Sequence, residues 1–338
     1  MIRTAHRFDC EAPAVWEVTQ GRDSPPALIA EWLLDNKSLL VEQLQMQGAV
    51  LLRGFRSLVQ PEDFGVILKS IGSPMGGYIG GTTPRTQLSG DVYTATELPK
   101  AYSVALHQEM AYLSEFPRAV AFMCLSPASH GGATTIADAR SVTRAIDPSV
   151  SSAFDQHGVT IRRILPHPGS LHLAAGVSRP WPDVFGCGDS HRVEQVAALR
   201  NWKIAWMPDG SLQLLHEALP AFRVHPSTGD RLWFNQAHYF SPECMVLWAA
   251  RDARSGQLRY LRKALARDRA AFNTVQYADG EAVPAGYLEH VWEVLVAAEH
   301  PICWQSGDIL ILDNMLTLHG RERFEGTRRI LAGLFSDI

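Results

Sequence analysis

The order of strand-like and helix-like segments is the feature of this sequence that most limits its fold. Apolar, β-branched runs typical of strands form two groups, at 103–112, 119–125, 133–138 and 158–165, and again at 302–320 and 326–338. Helix-like sequence from 243 to 298 separates the groups. A series of βαβ units would alternate strand and helix regularly, so this order predicts a closed or double-sheet β core with flanking helices.

The N-terminal third has clear helix signals. Ser24 is predicted to cap a helix that begins with Pro25 and Pro26 and ends at Gly48. A strand at 49–55 and a second helix in "PEDFGVILKSIG" follow. We therefore expect a helical part over about 1–75.

The rest of the chain is predicted to belong to the same single domain, 1–338. Two segments, at about 166–215 and 240–300, are expected to be insertions in the β core. Between them, "AFRVHPSTGDRLWFNQAH" predicts two strands joined by a Ser-Thr-Gly-Asp turn.

Composition limits the class of partner. The chain is 46% hydrophobic and 20% charged with a formal net charge of −4, typical of a globular protein with a sizeable core. We see no basic run, which disfavours nucleic acid and anionic membranes and favours a small-molecule substrate. The five cysteines are scattered without a C-x-x-C spacing, and the N-terminus lacks an apolar leader, so a cytoplasmic protein is expected.

The stretch "ALHQEMAY" contains the first chemical signal. It places His107 and Glu109 two positions apart in an apolar run, where burying either group is costly without a partner. Chance alone gives about one His-x-Asp/Glu pair in a chain of this composition, so the pair by itself is weak evidence. On a strand, both side chains would point to the same face.

Two histidines and one carboxylate on a triangular face bind ferrous iron and leave coordination positions open. The best candidate for the third ligand is His319, at the end of the strand-like run "GDILILDNMLTLH". The other histidines, including His225 and His238, are expected to be structural.

Four segments, in order, carry a resemblance to a known family. They are the H-x-E of His107 and Glu109, "GGATTIAD", "VHPSTGDRLWFNQAH" and "HGRERFEGTRR". Together they resemble the taurine-dioxygenase-like (TauD/TfdA, clavaminate synthase-like) iron(II)/2-oxoglutarate dioxygenases over about 50–338. "YTATELP" and "WFNQAH" are most similar to the syringomycin-type amino-acid hydroxylases.

The resemblance implies a double-stranded β-helix, or jelly roll, and a set of site residues. The iron ligands would be His107, Glu109 and His319, and the 2-oxoglutarate contacts would be Thr134 and Arg329. An arginine's planar fork suits the far carboxylate of 2-oxoglutarate. Arg328, which would point to the other face of the strand, is the alternative.

Substrate contacts are a separate set of predictions. The glycine-rich "GGYIGG" at 76–81 is predicted to be a loop over the substrate. The side chains expected to meet the substrate are Arg85, Thr96, Glu97, Asn235 and Gln236.

The resemblance implies that O2 and 2-oxoglutarate are consumed to hydroxylate an unactivated C–H bond. The substrate would be an amino acid, free or tethered to a peptidyl carrier protein, in natural-product biosynthesis. Halogenating relatives replace the carboxylate ligand with a small residue, so Glu109 favours oxygenation. Two alternatives stay open: desaturation or oxidative decarboxylation at the same site, and a non-catalytic jelly-roll binding module.

Overall fold

The computed structural model describes residues 1–7, 13–75, 85–169 and 179–338. The predicted loop at 76–81 lies outside these residues. The described strands are β1 Arg3–Arg7, β2 Ala14–Gln20, β3 Ala49–Arg53, β4 Ser73–Pro74, β5 Gln87–Ser89, β6 Val92–Thr94, β7 Val104–His107, β8 Ala119–Ser126, β9 His130–Gly131, β10 Thr134–Asp138, β11 Thr160–Leu165, β12 Lys203–Trp206, β13 Leu212–Leu215, β14 Phe222–Val224, β15 Arg231–Trp233, β16 Thr274–Gln276, β17 His300–Ile302, β18 Ile309–Asp313, β19 Thr317–Arg321, β20 Phe324–Glu325 and β21 Arg329–Asp337.

The helices pack around these strands. The described helices are α1 Pro26–Asp35, α2 Lys37–Gln47, α3 Pro61–Ile71, α4 Ala139–Ala145, α5 Pro148–His157, α6 Trp181–Phe185, α7 Ser190–Leu199, α8 Ala237–Phe240, α9 Pro242–Arg251, α10 Ser255–Arg267 and α11 Ala285–Ala297. Over the described residues, no helix combines the length and apolar composition that a membrane crossing needs.

Two sheets form the β core. In the part of the chain that the structure describes, the larger sheet has nine strands in the order β1-β2-β3-β18-β8-β21-β6-β5, with β4 paired to β21. The smaller sheet has the order β17-β10-β19-β7. The predicted mainly β, jelly-roll fold with flanking helices is confirmed.

Alternating residues of the larger sheet serve two hydrophobic cores, as the period of a strand requires. Val120, Phe122, Leu310 and Leu312 pack in one core with Leu106 and Leu318 of the smaller sheet. Their sequence neighbours pack in a second core with the helices α1 to α3: Ala119, Ala121, Met123, Ile309 and Ile311. The larger sheet is therefore sandwiched between helices and the smaller sheet.

The N-terminal prediction was correct about helices but incomplete. Strands β1 and β2 precede them, and Trp16 of β2 is fully buried. The predicted single helix is two helices broken at Asn36, and Pro25 rather than Ser24 is the N-cap, without a side-chain hydrogen bond. Gly48 ends α2 in the left-handed conformation, as expected.

Two long strand predictions near the candidate site were wrong in their bounds. The run at 103–112 is a strand only as far as His107, because a turn follows in which Met110 has φ +56°. The C-terminal run is two strands, since Asp313 accepts hydrogen bonds from the backbone N–H groups of Met315 and Leu316 and forms a turn. His319 consequently lies in the middle of β19.

The middle of the chain has more sheet than expected. The predicted hairpin is present as β14 and β15, paired antiparallel. In the segment at 166–215, predicted to be an insertion, β12 and β13 join β11 and β16 in a four-stranded sheet of their own. The helices α9 to α11 fall in the 240–300 segment, where helix-like sequence was predicted.

Candidate active site

Three buried side chains converge where β7 and β19 lie side by side. His107 and His319 are paired across the two strands, and their ring centroids are 4.5 Å apart. One donor atom each from His107, Glu109 and His319 lies within 4.8 Å of the others. All three residues are at most 8% exposed. The structure therefore brings together the three predicted metal ligands.

Glu109 reaches this point from a turn and not from a strand. Its backbone N–H donates to Asn314 Oδ1 at 2.7 Å, and Asn314 Nδ2 donates back to the Glu109 carbonyl at 2.9 Å. Asn314 is fully buried in the turn between β18 and β19. The same turn that starts the strand of His319 thus fixes Glu109, which sequence spacing could not indicate.

A second set of hydrogen bonds, from residues that follow β15, holds the end of β7. Gln236 Nε2 donates to the Gln108 carbonyl at 2.6 Å, and His238 Nε2 donates to the Leu106 carbonyl at 2.7 Å. Asn235 Nδ2 donates to the Ala221 carbonyl at 3.0 Å. The structure thus places Asn235 and Gln236, predicted to face the substrate, in bonds to backbone, and His238 in the structural role expected of it.

The protonation of the site favours binding of a cation. Burial, followed by the charge of His319, lowers the pKa of His107 to about 3, so its imidazole is neutral at pH 7. His107 Nδ1 donates to the Ala105 carbonyl at 2.9 Å, which leaves the Nε2 lone pair for a ligand bond. Burial would raise the pKa of Glu109, but the charge of Arg85 and then the nearby imidazole of His319 hold it below its usual range.

A small cavity of about 30 Å³ opens beside these donors. Besides His107 and His319, its charged and polar lining comes from three more of the predicted site residues, Arg85, Thr96 and Thr134, and from Arg321 and Arg328. Phe122 and Ile330 provide an apolar wall. The cavity is therefore a cationic pocket next to the three metal-ligand candidates.

Of the two adjacent arginines, Arg328 lines this cavity and Arg329 does not. Arg329 is exposed at the first residue of β21, whereas Arg328 and Ile330 both line the cavity. Arg328 lies just before β21, and the pairing of β21 with β8 is shifted between Arg329 and Ile330, so strand alternation could not indicate this position. Arg329, the predicted 2-oxoglutarate contact, thus does not line the cavity, whereas Arg328, the alternative, does.

Arg328 is held in place by Thr134 and its neighbours. Its Nε donates to the Gly132 carbonyl at 2.8 Å and its Nη2 donates to Thr134 Oγ1 at 3.3 Å. Trp304 Nε1 also donates to Thr134 Oγ1, at 3.0 Å. With two donors on its oxygen, the Thr134 hydroxyl can direct its own proton toward an anion. Burial, followed by the charge of Arg321, lowers the pKa of Arg328 to about 10, so it is a cation at neutral pH.

Arg321, which was not among the predicted site residues, fixes the segment from Thr96 to Tyr102. Arg321 donates to the carbonyls of Thr96, Leu98, Pro99 and Tyr102, and its shortest contact is 2.7 Å. Thr96 thereby lines the cavity. Glu97 is exposed and accepts from the Thr94 hydroxyl.

The donor set fits a ferrous ion. It consists of two imidazoles and one carboxylate on one face, the combination that binds this ion and leaves positions open. His319 Nε2 lies 3.7 Å from Glu109 Oε2, while its buried Nδ1 has no hydrogen-bond partner among the described residues. A buried imidazole in this position is suited to ligating a metal.

Gly320 lets β7 and β19 approach closely enough to form the site. A Cβ at Gly320 would lie 2.4 Å from the Val104 carbonyl oxygen. Gly320→Ala is therefore expected to separate the strands, lowering stability by about 1–3 kcal/mol and Mn²⁺ affinity by about tenfold. Thermal unfolding and calorimetric titration would measure both. Gly256→Ala on α10, where a Cβ meets nothing within 4 Å, is the matched control. Unchanged Mn²⁺ affinity in Gly320→Ala would contradict this role.

The sequence is similar to that of a known family and of individual proteins. Residues 21–335 match the family described as "Taurine catabolism dioxygenase TauD, TfdA family". A clavaminate synthase-like protein of Arabidopsis thaliana is 29% identical over 91% of this chain and 87% of its own length. The dapdiamide synthesis protein DdaC of Enterobacter agglomerans is 30% identical over 88% of this chain and 84% of its own length.

Solved structures share the fold. PvcB of Pseudomonas aeruginosa has a TM-score of 0.52 and 18% identity, over 100% of this chain and 91% of that one. A taurine dioxygenase homologue of Burkholderia xenovorans has a TM-score of 0.51 and 15% identity, over 99% and 92% of the two chains. Together with the family match over most of its length, these findings place the chain in the TauD/TfdA family of iron(II)- and 2-oxoglutarate-dependent dioxygenases.

Proposed function

We propose that this dioxygenase hydroxylates an unactivated C–H bond of an amino acid, free or tethered to a carrier protein, in natural-product biosynthesis. The observation that carries the proposal is the convergence of His107, Glu109 and His319 beside a cationic cavity. The names of two similar proteins support the setting. DdaC belongs to dapdiamide synthesis, and PvcB is described as an oxygenase from an isonitrile synthetic pathway.

Each group of residues around the cavity would have its own role in catalysis. His107, Glu109 and His319 would hold the iron. Bound iron, with 2-oxoglutarate and O2, would supply the oxidising chemistry. Arg328 and the Thr134 hydroxyl would hold the far carboxylate of 2-oxoglutarate through charge-assisted hydrogen bonds. Phe122 packs against His319, with ring centroids 5.3 Å apart, and would help to exclude water.

Substrate contacts belong to the same proposal. Arg85 and Thr96 line the cavity and are placed to meet a polar end of the substrate. Glu97 is exposed, and Asn235 and Gln236 bond to backbone, so we propose no direct substrate contact for these three.

Desaturation or oxidative decarboxylation at the same site is the alternative, because the outcome depends on the position of the substrate and not on the metal ligands. Membership of a dioxygenase family favours an enzyme over a non-catalytic binding module.

Two measurements test the function. Anaerobic addition of ferrous ion and then 2-oxoglutarate should produce a visible absorption band that neither gives alone. With O2, succinate release would be screened over free and carrier-loaded amino acids, followed by product mass. A gain of one oxygen atom supports hydroxylation, and a loss of two hydrogen atoms identifies desaturation. No band, and no succinate release above the uncoupled background, would refute the proposal.

A further inference from the structure

Arg85 forms a buried ion pair with one of the metal-ligand candidates. Its Nη2 lies 2.5 Å from Glu109 Oε2, and the two side chains are 4% and 3% exposed. A charge-assisted hydrogen bond of this length between buried groups is among the stronger polar contacts in a protein. The cation of Arg85 therefore balances the carboxylate of Glu109 in the metal-free protein.

The pair uses the carboxylate oxygen that faces the other ligands. His319 Nε2 lies 3.7 Å from the same Oε2 atom. Arg85 thus approaches Glu109 on the side where the three donors converge. A metal ion held by the three donors would meet the guanidinium at this oxygen, and the two cations would also repel each other at such close range.

We propose that Arg85 competes with the divalent metal for Glu109 and is displaced when the metal binds. This inference rests on the proposed function, because the metal is the one that the three ligands would hold. Arg85 stabilises the metal-free site by pairing the buried carboxylate of Glu109 with a full positive charge. Once displaced, its guanidinium still lines the cavity and is available to an anionic group of the substrate. Metal binding should therefore precede tight binding of an anionic substrate.

Affinity for Mn²⁺, measured by calorimetry on the metal-free protein, tests the competition. Arg85→Met removes the competing cation and leaves Glu109 unpaired, which raises the free energy of the metal-free state. Mn²⁺ is expected to bind at least about tenfold more tightly to this variant than to the wild type. Arg329→Met, which removes an exposed arginine that does not line the cavity, is the matched control. Its Mn²⁺ affinity should equal that of the wild type.

A second readout does not depend on the binding isotherm. The melting temperature of metal-free Arg85→Met should fall below that of the wild type, and saturating Mn²⁺ should raise it by more than it raises the wild type. Arg85→Gln, a smaller polar change, replaces Arg85→Met in both measurements if that variant does not fold.

The outcomes separate this inference from the proposed function. Equal or weaker Mn²⁺ binding in the Arg85 variants, with normal binding in the wild type, would overturn the competition alone. Absence of Mn²⁺ binding to all of these proteins would refute the metal site and with it the proposed function.

Discussion

His319→Ala is expected to lower kcat/KM by at least about a thousandfold, which corresponds to about 4 kcal/mol of transition-state stabilisation. The reason is that His319 is one of three converging donors and lies at the centre of the site, between β10 and β7. Loss of one imidazole leaves two donors, and Mn²⁺ affinity should fall by at least about a hundredfold. Calorimetry with Mn²⁺ and succinate release with the identified substrate would measure the two effects.

His191→Ala is the control for this substitution. The His191 side chain is 77% exposed on α7, so its removal should change neither quantity by more than about twofold. A His319→Ala protein that keeps full Mn²⁺ affinity while remaining folded would show that the metal is bound elsewhere.

Arg328→Met is expected to raise the KM for 2-oxoglutarate by about a hundredfold with little change in kcat at saturation. Arg328 is the half-buried cation beside Thr134, and truncating one partner of a buried, hydrogen-bonded charge pair costs about 2–5 kcal/mol. Steady-state kinetics with varied 2-oxoglutarate would show the effect. Arg328→Lys, which keeps the charge but not the planar fork, should recover part of it.

The matched control for this prediction is the neighbouring Arg329. Arg329→Met removes the same kind of side chain from an exposed position and should leave the KM for 2-oxoglutarate within about twofold. An increase in Arg329→Met with none in Arg328→Met would reverse the assignment that the structure supports.

The metal-ligand candidates could be identified from the sequence, because the H-x-E pair and a C-terminal histidine are local signals in a characteristic order. The prediction that His107 and Glu109 share a face of one strand was wrong, since Glu109 lies in a turn after β7. What places it is Asn314, about two hundred residues away in the chain. A hydrogen bond between such distant residues leaves no periodic pattern in the sequence.

Resemblance to a family did not predict which of two adjacent arginines lines the cavity. Strand alternation could not separate Arg328 from Arg329, because Arg328 precedes β21 and the strand pairing is shifted between Arg329 and Ile330. Arg321 was missed for a different reason, because its partners are backbone carbonyls of another segment. By contrast, β2 carried its own signal, since Ala14, Trp16 and Val18 alternate with less buried residues and are themselves fully buried.

The central claim is that His107, Glu109 and His319 bind one divalent metal beside Arg328. A crystal grown without O2 in the presence of Mn²⁺ and 2-oxoglutarate tests it most directly, through the anomalous scattering of manganese. We expect one strong peak within bonding distance of the two imidazoles and the carboxylate, with a carboxylate of 2-oxoglutarate on Arg328 and Thr134. A peak away from these three side chains, or none at full Mn²⁺ saturation, would contradict the account.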